Sequence, residues 1–557
     1  MAEATNKTSV KKDTAFGGRG YPDLQDHLRA LEAAGLLRVI DAPVNKDTEL
    51  MTLVRWQFRG GIPESERKAF KFTNVTDSLG RSYEMPVVVG ALSATPAIYA
   101  IGMGVDLDQV GVRWREAVAN PIPPVEIEDA PCHEVVLTGA DLQGEGKGLD
   151  ALPVPISSPG FDSAPYFTAT ACVSRDPDTG VQNLGTYRAG LKAPDRLAVK
   201  FFVNLGQGGH AHWLKYKARG EKMPMAIAVG CPPALAYLAP QKIRAGLDEV
   251  AVAGGLAGAP IRVVKAKTVD LLVPAEAEIV IEGLVDTEYL EPEAPFGESH
   301  GHVNTEEYNF IMEVTAITHR RDAVLTTIIS QVTVSESSVI KRVAMEPKFL
   351  NHLRDQLGIK GLKKVSMHEP LTNIRRIVFL VFDRGVPTTE IWRALYAASA
   401  LESTCGKFVI AVNDDIDPQN PDAVFWALAY RSTPGIDIEI LPHRDRGHGP
   451  ALERGNGEDA SILIDATLKA DMPPIALPKR EYMEAAKELW EKLDLPPLTP
   501  ESPWHGYSLG DWTDEWDDMA QRAAEGRYME NGQRSAQLRR KDIAPNTSIR
   551  EVPRTGE

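Results

Sequence analysis

The clearest constraint on the fold is a change of sequence pattern at about residue 335. Between about residues 131 and 325, segments of strand composition follow one another, and the turn DPDTG joins two of them as in a β-hairpin. Successive strands of this kind favour a barrel or a strongly curved sheet. Beyond residue 335, helical and strand segments alternate, with one helix beginning at the cap pair Asn420 and Pro421, which favours a parallel α/β layer. The sequence therefore predicts a multi-domain α/β protein with a β-rich centre.

The rest of the chain completes a four-part organisation. Near the N-terminus, Leu24, Leu28 and Leu31 share one helical stripe, and Gly35 marks where that helix stops. A Pro-rich segment at residues 119–131 has the composition of a linker. We expect an N-terminal α/β region at 1–130, a central β domain at 131–325, a C-terminal α/β domain at 335–497 and a C-terminal extension at 498–557.

Composition and charge exclude several classes of partner. The net charge of -16 over 557 residues argues against nucleic acid or an anionic membrane, although a local basic site could still hold an anionic small molecule. The N-terminus has no apolar stretch typical of a signal peptide, and no apolar run approaches the roughly 18–20 residues of a membrane span. The four cysteines form no CxxC pair, so we expect neither a zinc site nor disulfides, and a cytoplasmic location.

The segment EPEAPFGESHGHV, residues 291–303, gathers titratable groups where no regular helix can form. Glu293 and Glu298 stand five positions apart, with Pro295 and Gly297 between them. An irregular backbone of this kind can turn both carboxylates into one pocket. The alternative interpretation is a solvated acidic loop.

A second group of candidates lies in NLGTYR, which contains Asn183 and Arg188. Arginine binds carboxylates in a bidentate geometry, but the side chain could equally belong to an exposed strand. Positions five apart on a regular strand face opposite sides. Both residues can therefore serve one site only if a bulge, predicted at Gly185, reverses the phase.

Two further segments have weaker signals. GQGGHAHW, residues 206–213, is either a backbone cradle for a phosphate or a plain hairpin loop. Glu249 precedes a run of small residues, where it is either a ligand of a hard metal ion or a cap.

Together these segments resemble the UbiD family of prenylated-flavin decarboxylases. The order is Asn-x-x-x-Tyr-Arg, a Glu before A-G-x-L-x-G, VPAEAEIVIEG at 273–283 and the five-residue spacing of Glu293 and Glu298 in EAPFGE. The resemblance covers roughly residues 20–480, and it departs from the family at Ala294, where Gly is usual. It implies an N-terminal α/β region, a central split β-barrel that binds the flavin and a C-terminal α/β domain that commonly dimerises.

The resemblance also implies roles for three residues. Arg188 would bind the substrate carboxylate, Glu293 would fix the guanidinium and Glu298 would deliver the proton that replaces CO2. Loss of CO2 from an sp2 carbon leaves an electron pair that no side chain can absorb, so a cofactor is required. In the family this is prenylated FMN, made by a flavin prenyltransferase, and it forms a covalent adduct with the substrate before CO2 leaves.

Cofactor and metal residues follow from the same resemblance. Asn183, His210 and Glu249 would bind Mn2+ or another divalent cation, with K+ as an additional cation, and His212 is a pocket or structural residue instead. The implied cofactor-binding residues are Asn183, Leu184, Gly185, Thr186, Tyr187, Arg188, Gly209, His210, Glu249 and Lys407.

The resulting hypothesis is a reversible, non-oxidative decarboxylase. Its substrate would be a free aromatic or heteroaromatic acid, or an aromatic acyl-CoA such as phthaloyl-CoA, and the protein would form a homodimer or a dimer-based oligomer. Two other hypotheses are a catalytically silent flavin-binding accessory subunit and an ordinary flavin oxidoreductase, which would give the paired glutamates no role. The tryptophans of the extension, Trp504, Trp512 and Trp516, would pack either across a subunit interface or on their own subunit.

Overall fold

A computed structural model describes residues 15–552 except 202–206, 244–246, 294, 306, 447–457 and 542. The chain divides into two compact units. The first comprises Met1–Ala411 and Thr433–Asp465, and the second comprises Val412–Ser432 and Ala466–Glu557. The bounds of the four regions expected from the sequence stay predictions.

The N-terminal region packs four helices around small sheets. The helices are α1 (Leu24–Ala33), α2 (Leu50–Arg59), α3 (Pro96–Met103) and α4 (Val110–Ala119). The strands are β1 (Leu37–Ile40), β2 (Val44–Asn45), β3 (Ala69–Phe72), β4 (Val75–Thr76), β5 (Ser82–Tyr83) and β6 (Val87–Val89). Helix α1 begins at a capping box between Asp23 and Asp26 and buries the predicted leucine stripe, so this prediction is confirmed.

The central region carries the largest sheet. Its strands are β7 (Val125–Glu126), β8 (Val135–Thr138), β9 (Tyr166–Phe167), β10 (Thr170–Arg175), β11 (Gln182–Gly185), β12 (Ala189–Ala193), β13 (Arg196–Val199), β14 (Met223–Val229), β15 (Arg262–Lys265), β16 (Leu272–Pro274), β17 (Ile279–Glu293), β18 (Phe296–Gly297), β19 (Val303–Asn304), β20 (Glu307–His319) and β21 (Leu325–Thr327). Three helices interrupt them: α5 (Gly208–Arg219), α6 (Pro233–Leu238) and α7 (Glu249–Ala257).

Nine of these strands form one sheet along the path β11-β10-β14-β17-β20-β13-β12-β9, with β8 beside β20. The predicted hairpin is confirmed, because β10 and β11 pair antiparallel around the DPDTG turn. Within the described residues the two ends of the path do not pair, so the sheet is open rather than a closed barrel. Strand β21 leaves this region and pairs with β6, which joins the central and N-terminal regions.

The interpretation of residues 206–213 as a hairpin loop is wrong. Gly206 lies outside the described residues, and the chain from Gly208 onward is helix α5. The helix ends at Gly220, which adopts the left-handed conformation of a C-cap. The apolar residues Trp213 and Tyr216, three apart, bury one face of the helix and explain why this segment is helical.

The C-terminal region alternates helices and strands as predicted. The helices of the first unit are α8 (Glu336–Leu350) and α9 (Thr388–Leu401), and α11 (Pro434–Asp437) follows α10 (Pro421–Arg431) of the second unit. The strands are β22 (Leu362–Met367), β23 (Ile377–Phe382), β24 (Phe408–Asn413), β25 (Ile438–Arg444) and β26 (Asp459–Asp465), in the spatial order β22-β23-β24-β26-β25. The sheet is mixed rather than parallel, because both edge strands pair antiparallel with their neighbours. Alternation along the sequence does not specify the direction of an edge strand.

The second unit contains α10 and three further helices, α12 (Arg480–Lys492), α13 (Asp514–Ala524) and α14 (Tyr528–Gln537). Helix α10 begins as predicted, since the Asn420 side chain accepts from the backbone of Asp422. The extension packs on this helix: the Asn420 amide donates to Ser502 O at 2.9 Å, and the Tyr507 hydroxyl donates to Asp415 at 3.0 Å. The tryptophans also make contacts within the unit, for example Trp512 with Asp517.

No helix among the described residues combines the length and the apolar character that a membrane crossing requires.

Candidate active site

The segment between β17 and β20 holds two buried carboxylates. Glu293 ends β17 and is 2% exposed, and Glu298 follows the two-residue strand β18 and is 7% exposed. The backbone N–H of Gly297 donates to Asp162 at 2.8 Å, and a Cβ at this position would lie 2.5 Å from the Ser158 hydroxyl. Glycine permits this close approach without displacing the Ser158 side chain, and the next residue, Glu298, is buried. Ala294, the departure from the family pattern, lies outside the described residues.

Arg188 connects the two glutamates. Its Nε donates to Glu293 Oε1 at 2.9 Å and its Nη2 donates to Oε2 at 2.7 Å, which is a bidentate pair. Its third nitrogen, Nη1, contacts Glu298 Oε1. The ring of Phe296 lies 4.7 Å from the guanidinium carbon. These contacts hold the guanidinium in one orientation.

Two neutral side chains also support Glu293. Asn309 on β20 is 2% exposed, and its amide donates to Glu293 Oε2 at 2.8 Å. Tyr166 packs on Phe296 and hydrogen-bonds Glu293, while burial and the charge of Glu293 raise the pKa of the phenol. Glu293 therefore accepts from Arg188, Asn309 and Tyr166, which commits it to positioning Arg188.

Arg188 reaches the site by a different route from the bulge that the sequence predicted. Gly185 stays in register opposite Cys172, and β11 ends there. The N–H of Thr186 donates to Ala239 O at 3.1 Å, and the Thr170 hydroxyl donates to Tyr187 O at 2.7 Å. The bulge is wrong because partners outside the ladder satisfy the backbone of residues 186–187, so the strand stops and β12 begins after Arg188.

Asn183 faces the start of helix α5. The Tyr187 hydroxyl accepts from the Asn183 amide at 3.3 Å and from the N–H of Gly209 at 3.2 Å. A Cβ on Gly208 would lie 1.9 Å from Asn183 Oδ1. The amide oxygen of Asn183 is thus pressed against the first residue of α5, where only glycine fits.

Glu249 lies beside Leu184, the residue that follows Asn183. It is the first residue of α7 and accepts a hydrogen bond from the backbone of Leu184, and burial raises its pKa to about 7. A half-buried carboxylate and an amide oxygen on neighbouring residues of the fold suit a hard divalent cation, which prefers oxygen ligands. The donor chemistry of Asn183 and Glu249 fits the predicted metal.

The predicted histidine ligand has other neighbours. His210 lies on α5 with its ring 6.1 Å from Trp213 and 5.9 Å from Phe310, and burial lowers its pKa. His212 pairs with the Ser174 hydroxyl at 2.9 Å, as a structural residue would. Across the described chain, no three His, Cys, Asp or Glu side chains gather in a metal-binding group. The metal assignment of His210 stays a prediction.

A cavity of about 260 Å³ lies beside these residues. Arg188 and Glu298 line it together with Thr186, Tyr187 and Gln207. Lys407 does not line it: the Lys407 ammonium pairs with Asp459 at 2.9 Å, and its side chain is 42% exposed.

The sequence pattern missed four residues of this region: Asp162, Asn309, Lys341 and Arg375. Lys341 and Arg375 line the cavity. Lys341 follows Ser337 by one helical turn, and Ile340, Met345 and Phe349 of the same helix are buried. A lysine within such an apolar stretch is the signal that could have identified it.

The family models of UbiD match most of the chain. Its N-terminal domain matches residues 28–118, its 3-octaprenyl-4-hydroxybenzoate carboxy-lyase Rift-related domain matches 124–332, and its C-terminal domain matches 338–466. An uncharacterised protein of Synechocystis is 28% identical over 518 residues, covering 88% of this chain and 96% of its own.

Solved structures agree. The UbiD-class enzyme HmfF of Pelotomaculum thermopropionicum in complex with FMN has a TM-score of 0.73 at 28% identity, covering 84% of this chain and 100% of its own. An evolved dimeric form of HmfF with prFMN gives 0.70 at 29% identity, covering 82% and 97%. The vanillic acid decarboxylase of Sedimentibacter hydroxybenzoicus shares the fold, with a TM-score of 0.69 at 23% identity and coverage of 85% and 99%. The chain therefore belongs to the UbiD family of carboxy-lyases.

Proposed function

We propose that this protein is a reversible decarboxylase of an aromatic or heteroaromatic acid that uses prenylated FMN. The observation that carries the proposal is the Arg188 guanidinium, held by Glu293 on two nitrogens and in contact with Glu298 on the third. This group borders a cavity. It offers a fixed cation for a carboxylate and a second acid beside it.

Charge balance assigns different tasks to the two glutamates. Glu293 already balances the charge of Arg188 through the bidentate pair. A substrate carboxylate that approaches Arg188 brings one more negative charge, which favours the neutral form of Glu298. Glu298 would then hold a proton next to the carbon that loses CO2.

The cofactor supplies the electron sink. When the bond between the ring carbon and the carboxylate carbon breaks, CO2 leaves and the electron pair of that bond stays on the ring carbon. Prenylated FMN, when bound, would stabilise this electron pair. Arg188 orients the carboxylate, and Glu298 gives its proton to the same ring carbon. In the reverse direction Glu298 takes that proton back. HmfF, solved with prFMN, supports the choice of cofactor.

We further propose that Asn183 and Glu249 would bind a divalent cation, with Mn2+ as the first choice, which would help to hold the cofactor. The support is chemical: Asn183 offers an amide oxygen, and the half-buried carboxylate of Glu249 accepts from the backbone of the next residue, Leu184. Dialysis against a chelator should then lower the flavin content, and Mn2+ should restore it.

A homodimer is our proposal for the assembly. Helix α12 of the second unit buries none of its residues, although Tyr482, Leu489 and Leu493 lie on or next to it. HmfF has been solved in an evolved dimeric form. Light scattering should give twice the chain mass, and Leu489→Glu should lower it.

The decisive experiment uses protein produced together with a flavin prenyltransferase. A panel of aromatic acids and aromatic acyl-CoA esters is scored for CO2 release by the wild-type protein, by Glu298→Gln and by Glu291→Gln. Glu291 is a matched control, since it lies on the same strand and pairs with Arg196 outside the site. We expect Glu298→Gln to lose about 10²–10⁴-fold of the activity with its flavin retained.

Two outcomes would contradict the proposal. One is a flavin-loaded wild-type protein that releases CO2 from no acid, which would favour the accessory-subunit hypothesis. The other is a Glu298→Gln variant as active as Glu291→Gln.

A further inference from the structure

Two cations line the cavity without a carboxylate partner. Lys341 lies on α8 and Arg375 lies just before β23. Neither forms an ion pair in the part of the chain that the structure describes. The other cations that line the cavity differ, because Arg188 pairs with Glu293, Lys200 with Glu307 and Arg376 with Asp459.

An unpaired cation inside a protein is costly. Lys341 is half-buried, and burial together with the nearby charge of Arg375 lowers the pKa of its ammonium to about 7. Two positive groups therefore repel each other in a confined space, and neither forms an ion pair with a carboxylate among the described residues. The cost is relieved when an anion with oxygen acceptors enters the cavity.

A short stretch of chain connects Lys341 to the backbone of the proton donor Glu298. The N–H of Val332 donates to the backbone oxygen of Glu298, and α8 starts only four residues later. Lys341 is five residues into the helix, about 8 Å along its axis at 1.5 Å per residue. The predicted metal residues Asn183 and Glu249 lie on β11 and α7 instead.

We propose that Lys341, supported by Arg375, binds a second anionic group of the substrate. The substrate then carries an anionic group besides the carboxylate that leaves: a second carboxylate, or the phosphates of a CoA ester. This inference rests on the proposed decarboxylase function and names the substrate class within it. Lys341 is a specificity-determining residue, and Arg188 remains the residue for the departing carboxylate.

Binding measurements test the proposal without turnover. Flavin-loaded Glu298→Gln protein is titrated by calorimetry with an aromatic dicarboxylate, the matching monocarboxylate and the CoA ester of the dicarboxylate. We expect one of the two doubly anionic ligands to bind about 10- to 100-fold more tightly than the monocarboxylate. Tighter binding of the dicarboxylate would identify the second anion as a carboxylate, and tighter binding of the CoA ester would identify it as a phosphate.

Variants of the same protein assign the preference to Lys341. The affinity ratio is the affinity for the doubly anionic ligand divided by the affinity for the monocarboxylate. Adding Lys341→Met should bring this ratio close to one, and Lys341→Arg in its place should keep most of the wild-type ratio. Lys348→Met is the matched control on α8, since Lys348 is exposed and pairs with Glu402, and it should leave the ratio unchanged. Thermal unfolding checks that Lys341→Met is folded.

Three results would overturn the proposal: an affinity ratio near one before Lys341 is changed, a ratio that Lys341→Met leaves intact, or a Lys341→Met variant that loses flavin while keeping the ratio. The last would assign the two cations to the cofactor phosphate. CO2 release by the wild-type protein is scored separately. If no acid is decarboxylated the proposed function fails, whereas the affinity ratio still decides whether the cavity has a second anion site.

Discussion

Arg188 and Lys341 line one cavity but meet opposite surroundings. Arg188 is held by a bidentate carboxylate and supported through Asn309, so the fold fixes its orientation before any ligand arrives. Lys341 lies near the charge of Arg375 and forms no ion pair with an acid in the described chain. A cation that the protein itself pairs has a fixed orientation and suits catalysis. A cation without such a pair suits the binding of an anionic ligand, which balances its charge.

The largest effect is expected from removing Arg188, the cation that Glu293 pairs. Arg188→Met leaves Glu293 buried without its cation, which should lower the free energy of unfolding by about 3–5 kcal/mol. Lys341→Met removes an unpaired charge and should leave stability unchanged or higher. Thermal unfolding of the two flavin-free variants, side by side with wild type, measures the contrast. Equal losses of stability in both variants would show that the two cations do not differ in this way.

A smaller effect should follow from loosening the support of Glu293. Asn309→Ala removes a buried donor to Glu293 Oε2, so the carboxylate and Arg188 gain freedom. We expect kcat to fall about 10-fold with the flavin content unchanged. Asn120→Ala serves as the control, because Asn120 is exposed and its side chain donates to the backbone oxygen of Glu116, away from the site. An Asn309→Ala enzyme with wild-type kcat would remove Asn309 from the positioning network.

The sequence could predict the group around Arg188 and its glutamates, but not the pair of cations Lys341 and Arg375. Glu293 and Glu298 are close in sequence and flanked by a proline and a glycine, so their chemistry is visible in one short segment. Lys341 and Arg375 are 34 positions apart, and their proximity depends on how α8 packs on the C-terminal sheet. The apolar stretch around Lys341 could mark it as a lysine in a buried position, but its proximity to Arg375 leaves no local pattern in the sequence.

Other differences have similar causes. The helix at residues 208–219 was missed because glycines at its start suggested a turn, although they fit the close approach of Asn183. The mixed C-terminal sheet was missed because strand direction at an edge depends on tertiary pairing. The overall α/β organisation was predicted correctly because it follows from hydrophobic periodicity alone.

pH dependence sharpens the comparison. The pKa of Lys341 is lowered to about 7, so its ammonium is charged below that pH and becomes neutral above it. Binding of the second anion should therefore weaken several-fold between pH 6 and pH 8 in the wild-type site. Arg375, Arg188 and Glu298 share the cavity, so Lys341→Arg is the reference, and its affinity should stay flat over this range. Calorimetry at several pH values measures both, and an equally flat wild-type profile would contradict this role for Lys341.

The smallest effect concerns Lys407. Its pair with Asp459 is partly exposed, so Lys407→Met should change stability by less than about 1 kcal/mol. With the ammonium held by Asp459, we also expect the flavin content to stay at the wild-type level, which absorbance spectra of the purified proteins measure. A large loss of flavin would show instead that Lys407 leaves Asp459 to contact the cofactor, as the family resemblance implies.

Deuterium exchange tests the central claim most directly, namely that Glu298 moves the proton at the carbon that loses CO2. The arene product of the acid identified in the screen is incubated in D2O with flavin-loaded enzyme and followed by NMR. We expect the wild-type protein to place deuterium at that one ring position, and Glu298→Gln to place none although it binds flavin. Equal exchange by both proteins would contradict the assignment of Glu298 as the proton donor.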